Sequence, residues 1–83
     1  MSAYMVEIRV MPRASLLDPQ GQAVQHALQA LGFAEVGNVR AGKHLVLQVQ
    51  ASTREEAASK ARTMCDRLLA NPVTEDYECN VSQ

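Results

Sequence analysis

Tyr4-Met5-Val6-Glu7-Ile8-Arg9-Val10-Met11-Pro12, and after it Asp18-Pro19-Gln20-Gly21, decide the fold. From Tyr4 to Met11 the residues alternate. Tyr4, Val6, Ile8 and Val10 point one way, and Met5, Glu7, Arg9 and Met11 the other. That is the period of a half-buried strand. Pro12 has no amide to give a ladder, so the chain leaves the sheet there. Asp18 then offers a carboxylate to free helix amides, and Pro19 suits a first helical position. Val24, Ala27, Leu28 and Leu31 follow at the spacing of one apolar stripe, which predicts a helix with that stripe buried. Gly32 takes the left-handed position that ends it.

Further along, Ala34 to Arg40, a turn at Ala41-Gly42 and Lys43 to Gln50 read as a hairpin. Its second strand alternates Leu45, Leu47 and Val49 against His44, Val46, Gln48 and Gln50. Ser52-Thr53-Arg54-Glu55-Glu56 carries two overlapping capping boxes. The helix they start is expected to bury Ala57, Ala61, Met64, Cys65 and Leu68, and Asn71-Pro72 stops it. A last strand, Thr74 to Val81, sets Tyr77, Cys79 and Val81 against Asp76, Glu78 and Asn80. The order β-α-β-β-α-β predicts an α+β fold, a two-layer ferredoxin-like sandwich. In it an antiparallel sheet carries two helices on one face. Without the first hairpin strand the sheet has three strands. Residues 1–83 read as a single domain with no linker, repeat or low-complexity segment.

A chain of 83 residues with one Phe, two Tyr and no Trp has a small aliphatic core. Domains of this size bury only about 60% of their unfolded surface, so an oligomer partner suits it. A net charge of −1 leaves no electrostatic footprint for nucleic acid or an anionic membrane. No stretch reaches the roughly 18 apolar residues of a membrane span. Met1 to Glu7 lacks a basic export signal, and Cys65 and Cys79 form no CxxC, so two reduced thiols and a cytoplasmic location are expected. The segment Pro19 to Ala34 bears no formal charge. Its Gln20, Gln22, Gln25, His26 and Gln29 suit a desolvated protein contact as well as an ordinary wet face. The strand face with Met5, Met11 and Val46 is open to the same two readings.

Catalytic patterns are weak. Gly37-Asn38-Val39-Arg40-Ala41-Gly42-Lys43-His44 nearly spells a phosphate loop, but His44 replaces the hydroxyl residue and a strand follows where a helix N-terminus is needed. His26 and His44 have no ligand-spaced partners, so no metal site is expected. Cys65 and Cys79 read as core thiols, and Asp76 with Glu78 as a solvated strand face. A sheet that binds RNA would show aromatics on its open side, and this one does not. No catalytic, cofactor-binding or metal-binding residue is assigned. Arg13, Arg40, Lys43 and Asn71, cations and a cap residue in loops, are the candidate partner-interface residues.

Leu17-Asp18-Pro19-Gln20-Gly21, Leu31-Gly32-Phe33, Val39-Arg40-Ala41-Gly42-Lys43 and Leu68-Leu69-Ala70-Asn71-Pro72-Val73 with Glu75-Asp76-Tyr77 resemble, in order, the PurS family. The resemblance covers nearly the whole chain. Pro12-Arg13-Ala14-Ser15-Leu16 departs from the family's Lys- and Gly-containing run, and Cys79 stands where it tends to put an aliphatic. The resemblance implies a structural subunit of phosphoribosylformylglycinamidine synthase, a ligase complex of de novo purine biosynthesis. It implies a homodimer or higher oligomer, assembled with a PurL-type synthetase and a PurQ-type glutaminase. Ammonia would pass between those two, and ATP and Mg²⁺ would belong to the synthetase, with no cofactor on this chain. Two other classes compete. A small dimeric, amino-acid-binding regulatory domain would need a Gly-rich loop after the first strand. An acylphosphatase-like hydrolase would need an anion cradle beside Arg13.

Overall fold

The computed structural model describes residues 1–82. β1 (Ser2–Pro12), α1 (Pro19–Ala30), β2 (Lys43–Ala51), α2 (Arg54–Met64) and β3 (Glu75–Ser82) follow in that order, with a π-helical turn at Cys65–Leu69 after α2. The sheet is antiparallel throughout, with β1 between β2 and β3. Val6 pairs with Leu47 and Val81, and Ile8 with Leu45 and Cys79. The period-two pattern thus puts one apolar set from all three strands on one face. On that face Val6, Ile8 and Val10 are fully buried, together with Ala57, Ala61 and Cys65 from the helical layer. Small alanines let α2 approach the sheet closely.

The α+β, ferredoxin-like class stands, with β-α-β-α-β in place of β-α-β-β-α-β. The segment from Ala34 to Arg40 is not a strand. Asn38 takes a left-handed φ of 55°, which breaks an extended run. The segment's backbone groups go to α1 instead. The Val39 amide donates to Gln25 Oε1 (3.4 Å), and Gln29 Nε2 donates to the Val36 carbonyl (2.9 Å). β2 therefore remains an edge strand.

α1 also differs from its expected packing. Its ends form as the sequence dictates: Asp18 caps it, Pro19 opens it and Gly32 follows it at φ 105°. Its stripe is not buried. Only Gly21 is buried in α1, and Val24 and Leu31 are 42% and 75% exposed. α2 alone covers the sheet face, while α1 and its return loop extend away as an arm. The molecule measures 52 × 25 × 14 Å, with a radius of gyration of 16.3 Å. A compact chain of this length has a radius near ~12 Å.

α2 starts as a capping box. The Glu56 amide donates to Thr53 Oγ1 (3.1 Å), and Glu56 Oε1 accepts from the Ser52 amide (3.4 Å). Ala57, Ala61 and Cys65 face inward as expected, but Leu68 is 82% exposed. The wider π turn puts one extra residue into the helix's last turn. Leu69 and Ala70 then take the inward side. Because β1 is packed on both edges and beneath α2, Ile8→Ala is expected to lose about 2–5 kcal/mol of stability. Urea denaturation checks this, as a lowered midpoint with an unchanged slope.

Candidate functional site

The chain's polar groups converge where β1 ends, β2 begins and α1 departs. Asp18 is the hub. Its side chain is 8% exposed and accepts from the Gly21 amide (3.0 Å), the Ala41 amide (2.9 Å) and Arg40 Nε (3.4 Å). Arg40 continues outward, donating through Nη2 to the carbonyls of Pro12 (2.9 Å) and Arg13 (2.8 Å) and through Nη1 to that of Ala14 (3.4 Å). One carboxylate and one guanidinium thus tie the end of β1 and the start of α1 to Arg40 and Ala41, which lie more than 20 residues further along the chain. A planar five-donor fork can serve several carbonyls at once, and an ammonium cannot do so in the same geometry. Gly21 is required because a Cβ there would collide with the Val39 carbonyl oxygen and crowd the Asp18 carboxylate. Gly42 is required because its Cβ would strike the Val10 carbonyl and the Met11 side chain.

The other candidate residues lie at the same end of the sheet. Lys43 Nζ donates to the Leu69 carbonyl (3.1 Å), serving an end group of the π turn. Arg13 Nη2 donates to the Pro72 carbonyl (2.7 Å), and its Nε lies 3.5 Å from Asp76 Oδ1. Asn71 Oδ1 accepts from the Val73 amide (3.0 Å), and the Asn71 amide donates to Glu75 Oε1 (2.7 Å). The structure therefore brings Arg13, Arg40, Lys43 and Asn71 to one end of the molecule and gives each an internal bond. Beside them an open cavity of about 700 Å³ is lined by Leu16, Leu17, Asp18, Lys43, Thr74 and Glu75 among others.

Sequence reasoning saw Asp18 as a cap and missed it as a hub. It also missed Gln25 and Gln29 as anchors of the return loop. A glycine in the first turn of a helix, at Gly21, was the available signal, because helices favour other residues there.

Elsewhere the chemistry is subdued. Burial pushes the Cys65 thiol up, with Cys79 and Asp66 adding to it, and burial pushes Cys79 up as well. Both thiols are free, and such a shift takes them away from the nucleophilic thiolate. Burial also raises Tyr77, whose hydroxyl lies 3.3 Å from Asp66 Oδ1. His44 Nε2 sits 3.2 Å from Glu7 Oε2 on the open sheet face. Among the described residues no group of three or more His, Cys, Asp or Glu is placed to hold a metal ion. No helix among them is long and apolar enough to cross a membrane.

A three-stranded antiparallel sheet backed by one helix, with a second helix carried outward on a pinned joint, defines an α+β protein built around an exposed arm. The sequence model described as "PurS: Phosphoribosylformylglycinamidine (FGAM) synthase" matches residues 5–83, and the chain belongs to the PurS family. Phosphoribosylformylglycinamidine synthase subunit PurS of Bacillus subtilis is 44% identical over 80 residues, which are 96% of this chain and 94% of that protein. Its counterpart in Synechocystis is 47% identical over 90% of this chain and 75% of its own length. The solved structure of B. subtilis PurS matches with a TM-score of 0.87 over 96% of this chain and 99% of that one. A chain in the structure of PurLQS from Thermotoga maritima matches at 0.89 with 32% identity, over 99% of this chain and 100% of that one. The arm is more than a quarter of the chain, so scores this high require it to lie in the same place in those proteins.

The Asp18 carboxyl is held below its ordinary value of 3.8, by the Ala41 amide first, then by the Gly21 amide and Arg40, while burial opposes them. A depressed native pKa gives stability that is complete above the ordinary value and is lost as pH falls through the native one. Asp18→Asn is therefore expected to unfold at lower urea than the wild type at pH 7, and the difference should narrow at pH 3. An equal deficit at both pH values would show that the charge is not the source of the stability. Gly21→Ala is expected to destabilise by about 1–3 kcal/mol, from the collision with Val39. The same urea melts read this loss.

Proposed function

We propose that this chain is the small structural subunit of a phosphoribosylformylglycinamidine synthase. It assembles a glutaminase and a synthetase and assists ammonia transfer between them, in the glutamine- and ATP-dependent conversion of formylglycinamide ribonucleotide to its amidine. The observation that carries this reading is the match, nearly end to end, to a chain of the T. maritima PurLQS structure. The partners are a PurL-type synthetase, a PurQ-type glutaminase and a second copy of this chain. ATP and Mg²⁺ belong to the synthetase, the catalytic thiol to the glutaminase, and the complex works in the cytoplasm. Two features of the chain fit an assembly role. Its polar groups are spent on shaping a joint, and its exposed apolar side chains Leu17, Leu31, Leu68 and Val73 lie on or beside the elements that the joint positions. We place the synthetase or glutaminase contact at the joint end, on the rim shaped by Arg13, Arg40, Lys43 and Asn71.

The reading as an amino-acid-binding regulatory domain lacks the loop it requires. The loop after β1 has no glycine-rich stretch, and Arg40 already occupies the carbonyls of Pro12, Arg13 and Ala14.

Reconstitution with the synthetase and glutaminase of the same organism tests the proposal. Amidine formation from glutamine is expected to require this chain, while formation from added ammonia requires it far less. Equal rates with and without the chain from glutamine would end the assembly reading.

A further inference from the structure

Two thiols sit in the core with no part in the joint. Cys65 is fully buried where α2 passes into the π turn, and Cys79 is half-buried on β3, packed against the same apolar cluster. Strand alternation puts Cys79 on the α2 side of the sheet, with Tyr77 and Val81. The helical neighbours of Cys65 place it over β3. Asp66, the next residue, accepts from the Tyr77 hydroxyl at 3.3 Å. Arg62, three residues earlier and on the same helix face, lies close enough for its charge to lower both Tyr77 and Cys79 against the burial that raises them. Cys65 thus lies between two side chains that reach β3 at Tyr77 and Cys79. Burial is the first cause that raises its own thiol, and Cys79 is the second.

A bond between a helix and a strand needs a thin layer, because a disulfide spans Cα atoms no more than about 7 Å apart. Ala57 and Ala61, fully buried on the inward face of α2, provide that thinness. There is also room for movement. An open cavity of about 260 Å³ lies beside Cys65, lined by Asp66, Ala70, Pro72 and Tyr77 among others, so the Cys65 side chain can turn without displacing a packed neighbour. Cys65 also begins the π turn, where its carbonyl accepts from the Ala70 amide (3.0 Å). Such turns are often found at functional positions.

We propose that Cys65 and Cys79 are an oxidisable pair, which hydrogen peroxide converts to an intrachain disulfide between the end of α2 and β3. Cys79 reacts first, because it is the more exposed thiol and has Arg62 beside it to favour the thiolate. Its sulfur attacks one peroxide oxygen and becomes a sulfenic acid, and the hydroxide released takes a proton and leaves as water. The Cys65 sulfur then gives up its proton, attacks the Cys79 sulfur and expels a second hydroxide, which leaves as water in turn. Two thiols have lost two protons and two electrons, and one peroxide has become two waters. The raised thiols make the pair slow, so it rests reduced and records sustained oxidation. The product ties β3 to the π turn, whose end carbonyl Lys43 already holds, and so stiffens the rim at the joint end of the sheet. The chemistry depends on this chain alone and stands apart from the functional proposal.

Treatment of the folded full chain with hydrogen peroxide tests the pair. After quenching, the chain is unfolded in urea and its remaining thiols are alkylated with iodoacetamide. Both thiols are expected to be lost together at every time point, and dithiothreitol should restore both. Trypsin, cutting after Arg62 and Arg67, should release residues 63–67 joined to residues 68–83. The oxidised chain should still run as a monomer on a non-reducing gel. Oxidation of methionines, Met64 included, leaves this thiol count unchanged. Cys79→Val keeps a compact apolar side chain suited to a strand. Its Cys65 is expected to be lost at least about tenfold more slowly than in the wild type, since a buried, protonated thiol is inert without its partner. Thiols that stay reduced in the folded wild type would overturn the pair. So would a sulfinic acid on one cysteine with the other still free, or a covalent dimer in place of the intrachain bond. Loss of Cys65 at the wild-type rate in Cys79→Val would overturn it too, because the two sulfurs would then react independently.

Discussion

The rest of the structure depends on a sequestered carboxylate and the guanidinium beside it. Asp18 gathers amides from Gly21 and Ala41, and Arg40 gathers carbonyls from Pro12, Arg13 and Ala14. These bonds fix where the chain leaves β1, the direction in which α1 sets out, and the place where it returns to begin β2. A hydrogen bond to an ionised group is stronger than a neutral one, and an unmatched buried charge is costly. The joint is therefore closer to all-or-none than a turn held by backbone bonds. Lys43 and Arg13 extend it to the far side, where they brace the π turn and the bend before β3.

Much of this was legible in the sequence, because the signals are local. Period-two alternation placed all three strands, and Asp18-Pro19, Gly32 and Thr53–Glu56 placed the helix ends. What escaped was the environment of each element. The stripe Val24-Ala27-Leu28-Leu31 announces an amphipathic helix, but periodicity is silent on which surface will cover it. The Ala34 to Arg40 run has strand-like composition, yet Asn38 and the glutamine side chains of α1 capture its backbone. Leu68 obeys helical spacing and still points outward, since a single added residue in a π turn follows from tertiary fit. Arg13, Arg40, Lys43 and Asn71 were recognisable as loop residues with unspent hydrogen-bonding capacity. That their bonds are internal depends on contacts that are distant in sequence.

The same economy explains why a chain this small can carry an arm. The core under α2 is tight and aliphatic, with Val6, Ile8, Val10 and Cys65 excluded from water. It owes nothing to α1, so the arm is free to differ from an ordinary surface helix. With neutral amides on one side and aliphatics on the other, it can be desolvated all round without stranding a charge. Its orientation comes from the joint at its root.

β1 precedes the other two strands of the sheet in the chain and lies between them. Its pairing with β3 joins residues far apart in sequence, with Met5 opposite Ser82 and Val6 opposite Val81. The β1–β3 half of the sheet cannot close until β3 is available, and such distant pairings make for slow acquisition of the native state. During synthesis β1 therefore waits with part of its apolar face uncovered and one edge open, a condition that favours misassociation. Met5, Glu7, Arg9 and Met11 alternate with that apolar set. The charged pair among them makes the nascent strand a poorer template for pairing with its own kind.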